Sequence, residues 1–275
     1  MVTGASTGIG AASARELARR GFHVLAGVRR EQDADALRAD GIEPVILDIT
    51  RPGHITELTA HVDARGGALR ALVNNAAIQI NAPVETLPLS EWRRQFEVNL
   101  FGHIAVTQAL LPALRRGSGR VVNISSVGGR VAMATYGPYA GTKFALEAVS
   151  DALRRELAPS GVRVVVVEPG AIRTEMADRV IAATNQQATA MSPQQQDRYG
   201  KLIRAINAQS AAHAPGGTSA ADAALVIATA VTAPHPRTRY TIGRDAALIT
   251  RLARILPDRL LDRVLAAGLR PHYAS

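Results

Sequence analysis

The chain has 275 residues, no cysteine and a formal charge of +9 at neutral pH. That length suits one α/β domain, and the lack of cysteine excludes disulfides, thiol nucleophiles and thiolate metal sites. The positive balance is carried almost wholly by arginines scattered along the chain, which argues for a solvated surface and a small phosphate-bearing ligand and against nucleic acid. No apolar run reaches the roughly 18 residues of a spanning helix, and no targeting signal precedes Thr3. A cytoplasmic protein, at most peripheral to a membrane, is expected.

Met1-Val2 is all that precedes the run Thr3-Gly4-Ala5-Ser6-Thr7-Gly8-Ile9-Gly10. Glycines in this spacing let backbone N–H groups approach a pyrophosphate at a helix N-terminus, and a helix is expected from about Ile9 to Arg20. A full apolar strand normally leads into such a loop. Here it is almost absent, so either the first strand is very short or the start is truncated or mis-assigned. Gly4-Ala5-Ser6-Thr7-Gly8 also fits the G-x-S-x-G elbow of hydrolases, but the strands and oxyanion loop that should come before that serine are missing.

Phe22 to Gly27 reads as the second strand. An acidic residue just after it would bond the ribose hydroxyls of NAD. The chain instead has Val28-Arg29-Arg30, and paired guanidinium donors suit a 2′-phosphate. NADP(H) is therefore favoured, with NAD(H) left open. Glu43 to Ile49 reads as the third strand, 53–65 as a helix, and Ala71-Leu72-Val73 as a strand running into Asn74-Asn75-Ala76-Ala77. Ser90 is expected to cap a long helix that runs through Asn99 towards Leu114. Asparagine is a poor helix former, so Asn99 needs a reason to be there.

Val121 to Ser126 is a strand pattern ending in two hydroxyls, and alternation turns Ser125 and Ser126 to opposite faces. Tyr139 and Lys143 share one face of a helix expected from about Pro138 to Leu157. A phenol ordinarily titrates near 10, and a neighbouring ammonium draws it towards the range of a useful acid or base. Alone, Y-x-x-x-K is more often plain helix surface. Val162 to Val167 is a β-branched run suited to a strand buried on both faces. It leads into Glu168-Pro169-Gly170-Ala171-Ile172-Arg173-Thr174. Residues 175–218 are polar and weakly patterned, as in a lid, and a last strand is expected at Arg239–Ile242. The tail 245–270 is amphipathic and broken by Pro257. It reads as two helices covering the core, or as a basic apolar surface resting on a membrane. The histidines lack metal-ligand spacing.

Five motifs in order resemble the classical branch of the short-chain dehydrogenase/reductase family. They are the glycine loop, the Asn74-Asn75-Ala76 segment, Asn99, the Ser126 strand and Tyr139-x-x-x-Lys143. The resemblance implies a single Rossmann-type, doubly wound parallel α/β sheet. It implies an oxidoreductase that interconverts an alcohol and its carbonyl by hydride transfer. The catalytic set it implies is Asn99, Ser126, Tyr139 and Lys143, with Ser126 chosen over Ser125 for its thirteen-residue separation from Tyr139. Asn99 would distort its helix and hold a water linked to the lysine.

The implied cofactor site is Gly4, Ser6, Thr7, Gly8, Ile9, Gly10, Arg29, Arg30, Asp48, Ile49, Asn75, Ala76, Tyr139, Lys143, Pro169, Gly170, Ile172 and Thr174. Of these, Asp48-Ile49 would meet the adenine and Pro169-Gly170 the nicotinamide. Asn74 would instead stabilise the central strands, and Ala77 departs from the usual glycine. The resemblance further implies a homodimer or homotetramer joined through the Asn99 and Tyr139 helices. The style of the tail resembles the retinol- and hydroxysteroid-type members, which implies a bulky apolar substrate. A non-catalytic NADP-binding sensor or interaction protein is the alternative, but it has no need of the complete catalytic set.

Overall fold

The computed structural model describes residues 1–273. Its elements follow as α1 (Gly8–Arg19), β1 (Val24–Val28), α2 (Glu31–Leu37), β2 (Ile42–Ile46), α3 (Pro52–Ala64), β3 (Ala71–Asn74) and α4 (Leu89–Phe96). Then come α5 (Gly102–Arg116), β4 (Arg120–Ile124), α6 (Gly137–Leu157), β5 (Arg163–Pro169), β6 (Ile172–Arg173), α7 (Glu175–Thr189) and α8 (Pro193–His213). The chain ends through β7 (Thr218–Ser219), α9 (Ala220–Thr232), β8 (Arg239–Ile242), α10 (Arg244–Ile255) and α11 (Asp258–Leu269).

The short leading strand is resolved by a single residue. Val2 bridges to Ala26 on one side and to Val73 on the other. Backbone bonds at Val2, Thr3, Gly27 and Val73, 2.8–3.0 Å long, stitch it in. The parallel order is therefore β2-β1-Val2-β3-β4-β5-β8. Helices α1, α2 and α9 pack on one face, and α3, α5 and the end of α6 on the other. The order reverses between Val2 and β3, and the crevice of such a sheet opens there, at the carboxyl ends of the strands. The glycine loop leaves Val2 and the Asn75 segment leaves β3, so both arrive at that point.

Of the boundaries that differ from expectation, two have a clear local cause. The third strand ends at Ile46, because Asp48 accepts from Thr50 N at 3.0 Å and from Thr50 Oγ1 at 2.7 Å and so turns the chain early. Ser90 does not cap its helix. The helix begins at Leu89, with Pro88 in the cap position at φ −57° and ψ 142° and no side-chain cap bond. Proline's fixed φ supplies the extended entry, which leaves Ser90 inside the first turn.

The Asn99 helix is interrupted where the asparagine stands. Glu97–Phe101 form a π-helical turn between α4 and α5, and such bulges recur at functional sites. The 175–218 segment is two helices whose ends are clasped together, since Ile172 and Arg173 pair with Thr218 and Ser219. It leaves and re-enters the domain at one place. The tail forms α10 and α11, broken at Pro257.

Candidate active site

The glycine loop is crowded where it must be. Gly4 has φ +64°, and a Cβ on it would stand 2.6 Å from Ala76 Cα. A Cβ on Gly10 would stand 2.2 Å from Gly4 O and 2.5 Å from Asn75 Nδ2. The Asn75 amide ties the loop down by donating to Thr3 O at 3.0 Å and to Gly4 O at 2.9 Å. Thr3 Oγ1 in turn accepts from the N–H groups of Asn75 and Ala76. Asn75 thus shapes the loop through its side chain. Ala77 tolerates its departure from glycine because it is not among the residues with positive φ.

Thr7 occupies the cap position of α1 without capping it, and the first turn of α1 carries no acid. Ser6 and Ile9 are half-buried beside it. The first-turn amides and the helix dipole therefore favour an anion, and the loop fits a dinucleotide's pyrophosphate. Thr174, in the cap position of α7, faces the loop: its Cγ2 would lie 3.2 Å from a Cβ on Gly8. Gly170 donates to Ile242 O and packs on Ala246, which fixes the turn after Pro169, and Ile172 opens β6.

The two arginines after β1 are not equivalent. Arg30 is held by Asp33 through two bonds of 2.8 Å. Arg29 is exposed and has no carboxylate ion pair among the described residues. Asp48 is occupied by Thr50, while Ile49 is buried against Gly102.

At the other wall, Tyr139 and Lys143 lie on α6, buried at 8% and 1% exposure. Lys143 Nζ donates to Ile124 O at 2.8 Å and lies 5.7 Å from the Tyr139 ring centroid. Ser126 Oγ accepts from Gly128 N at 3.0 Å, and a Cβ on Gly128 would touch both this oxygen and the Tyr139 ring. Ser125 is turned the other way, towards Gly129 and Glu147. Asn99 Oδ1 accepts from Ile78 N, while its Nδ2 donates to Ile78 O at 2.8 Å and to Thr142 Oγ1 at 3.1 Å. The asparagine thereby joins the π turn to the helix of Tyr139. Asn74 bonds Thr107 and Asn123, both at 2.9 Å, and ties β3 to β4 and α5.

The electrostatics correct one expectation. Lys143 does not draw the phenol down here. Burial pushes Tyr139 up to about 12, against a smaller pull from its hydrogen bond to Ser126. The lysine itself is lowered by burial to about 8, with Glu147 opposing. The ammonium is spent on a backbone carbonyl rather than on the phenol oxygen, so desolvation of the ring dominates.

Three further participants lie outside the five motifs. Glu147, one turn beyond Lys143, is buried and shares Arg239 with Glu168. The i, i+4 spacing from Lys143 was its only signal. Tyr136 and Leu202 pack against Ala205, Ile206 and Leu269, joining the start of the active-site helix to the lid and tail. His103 is the third. It is 1% exposed, and its ring nitrogens are buried beside the Ala76 backbone with no well-formed hydrogen bond.

Burial, aided by the charge of Lys143 and opposed by the Ala76 backbone, lowers the His103 pKa to about 3. The unfolded chain takes up this proton near pH 6.5 and the folded protein does not. His103 therefore costs stability progressively as pH falls below about 6.5, roughly 2 kcal/mol by pH 5. His103→Leu should flatten the difference between urea melts at pH 7.5 and pH 5 by about that amount. Equal acid sensitivity in variant and wild type would refute this.

The family model for short chain dehydrogenase matches residues 1–185. The chain belongs to the short-chain dehydrogenase family. It is 38% identical over 281 residues to mouse (Mus musculus) retinol dehydrogenase 5, covering 96% of this chain and 86% of that one. It is 36% identical over 267 residues to the uncharacterized oxidoreductase YbbO of Escherichia coli K12, covering 96% and 93%. Among solved structures it resembles a short-chain dehydrogenase from Streptomyces avermitilis, with TM-score 0.75, 33% identity and 97% and 92% coverage. A second, from Burkholderia cenocepacia J2315 in complex with NADP, superposes with TM-score 0.74 at 27% identity, covering 98% and 95%. This short-chain dehydrogenase is an NAD(P)-dependent alcohol dehydrogenase or carbonyl reductase with a Rossmann fold and a small-molecule substrate. No described helix is long and apolar enough to cross a membrane.

Proposed function

We propose that the enzyme uses NADP(H) to interconvert a bulky apolar alcohol and its carbonyl, with Tyr139 as the acid and base. The observation that carries this reading is the buried Tyr139 phenol beside Ser126, with Lys143 one turn along the same helix. The cofactor supplies the hydride when bound. Ser126 and Tyr139 hold the substrate oxygen, and Tyr139 delivers or removes the proton. Lys143 supplies positive charge and orients the ribose, and Asn99 steadies the helix beneath. Gly4, Ser6, Thr7, Gly8, Ile9 and Gly10 seat the pyrophosphate, while Ala76, Asp48, Ile49, Pro169, Gly170, Ile172 and Thr174 line the rest. Loss of NADPH absorbance at 340 nm with a panel of apolar ketones and aldehydes tests the reading. Tight NADPH binding with no turnover of any member would point to a sensor.

Arg29 supports the cofactor choice, because it is exposed and makes no carboxylate ion pair among the described residues, whereas Arg30 is paired with Asp33. Arg29→Ala should weaken NADPH binding about tenfold, as expected for one charge-assisted phosphate contact, and leave NADH nearly unchanged. Equal losses for both cofactors would remove the 2′-phosphate assignment.

The substrate class rests on the relatives named retinol dehydrogenase and on the tail. Leu248, Ile255, Leu260 and Val264 are exposed on α10 and α11, among Arg251, Arg254, Arg259 and Arg263. That pattern suits peripheral contact with an anionic bilayer. The protein should co-sediment with anionic vesicles at low salt, and Leu248→Glu with Ile255→Glu should abolish it. Exposed Phe101 and Phe144, at the end of the Asn99 turn and on α6, suit a homodimer or homotetramer interface.

A further inference from the structure

The lid and the glycine loop touch at one polar contact that the catalytic set does not use. Arg179, in the second turn of α7, donates from Nη2 to Thr7 Oγ1 at 3.3 Å. That is the long end of a hydrogen bond, made to a hydroxyl that caps nothing. Arg179 is exposed and forms no carboxylate ion pair among the described residues, although Glu175 and Asp178 lie on its own helix. Thr174 fixes the approach by packing against Gly8. A guanidinium held so weakly, at the mouth of a loop shaped for a diphosphate, has a stronger partner available in the anion itself.

We propose that Arg179 is a phosphate-binding residue. When the dinucleotide is bound, its guanidinium shifts from the Thr7 hydroxyl to the pyrophosphate oxygens and pins α7 over the cofactor. The lid is already fastened at its far side. Arg198 Nη1 and Tyr199 OH both donate to Glu85 at 2.6 Å, and Asn207 Nδ2 on α8 donates to Asn185 Oδ1 on α7 at 2.9 Å. Seating the diphosphate therefore sets the position of the helices beside the substrate crevice. The proposal rests on the dinucleotide reading above.

The test measures binding and lid protection, not turnover. Calorimetric titration with NADPH and with ADP should show Arg179→Ala weakening both about 10- to 30-fold, as loss of a charge-assisted bond to phosphate implies, with Arg179→Lys recovering part of the loss. Amide hydrogen exchange over residues 175–189 should slow in the wild type on adding NADPH. In Arg179→Ala it should stay at the ligand-free rate even at saturating NADPH. Affinity within twofold of wild type, or undiminished protection, overturns the role of Arg179 while leaving the cofactor reading intact. Absence of any dinucleotide binding by the wild type overturns both.

Discussion

Tyr139→Phe should lower turnover by about a thousandfold, roughly 4 kcal/mol of barrier, while NADPH affinity stays within about twofold. The variant keeps the ring and its packing and loses one hydroxyl, so the melting temperature should move little. Ser126 cannot take over the proton, because an aliphatic hydroxyl is a far weaker acid than a phenol. A phenol pushed up to about 12 by burial keeps its proton at neutral pH, which suits a donor to the oxygen of a carbonyl being reduced. Lys143, lowered to about 8, loses its charge as pH rises through that value. Reduction should therefore decline above about pH 8, because a neutral amine holds the cofactor ribose less firmly than the ammonium does. A Tyr139→Phe enzyme retaining more than a tenth of wild-type turnover would sink the assignment of the phenol as proton carrier.

The parts of the site that were legible in the sequence share a physical trait. Each rests on local chemistry at short spacing. Gly4, Gly8 and Gly10 announce a loop open to close backbone approach, Tyr139 and Lys143 are one turn apart, and Val162–Val167 suits a strand covered on both sides. What stayed hidden depends on which of several neighbouring groups wins a local competition, or on contacts far apart in the chain. Asp48 ends β2 through Thr50, and Pro88 takes the cap position expected of Ser90. The protonation of Tyr139 was misjudged because spacing reveals a neighbouring charge and says nothing of the burial that outweighs it. The separate fates of Arg29 and Arg30 follow from Asp33, which is near in sequence but pairs with only one of them. The Arg239 link between Glu147 and Glu168, the burial of His103 near Lys143 and the reach of Arg179 to Thr7 all involve residues that no local pattern connects.

Gly10→Ala should abolish measurable dinucleotide binding, a loss of at least about a hundredfold, and cost about 1–3 kcal/mol of stability. The reason lies in what surrounds the missing Cβ. It would stand 2.2 Å from Gly4 O and 2.5 Å from Asn75 Nδ2, and those two atoms are already bonded to each other at 2.9 Å. Neither has room to retreat, because Gly4 lies against Ala76 and Asn75 is also tied to Thr3 O. The strain is relieved only by lifting the loop from β3, which turns the first amides of α1 away from the anion they would bind. Gly53→Ala is the matched control. It lies in α3 with nothing within 4 Å of the added Cβ, so it should stabilise by about 0.5–1 kcal/mol and leave affinity unchanged. Calorimetric titration with NADPH alongside thermal melts separates the two. A Gly10→Ala protein that binds NADPH within threefold of wild type would show that the loop yields more easily than its contacts allow.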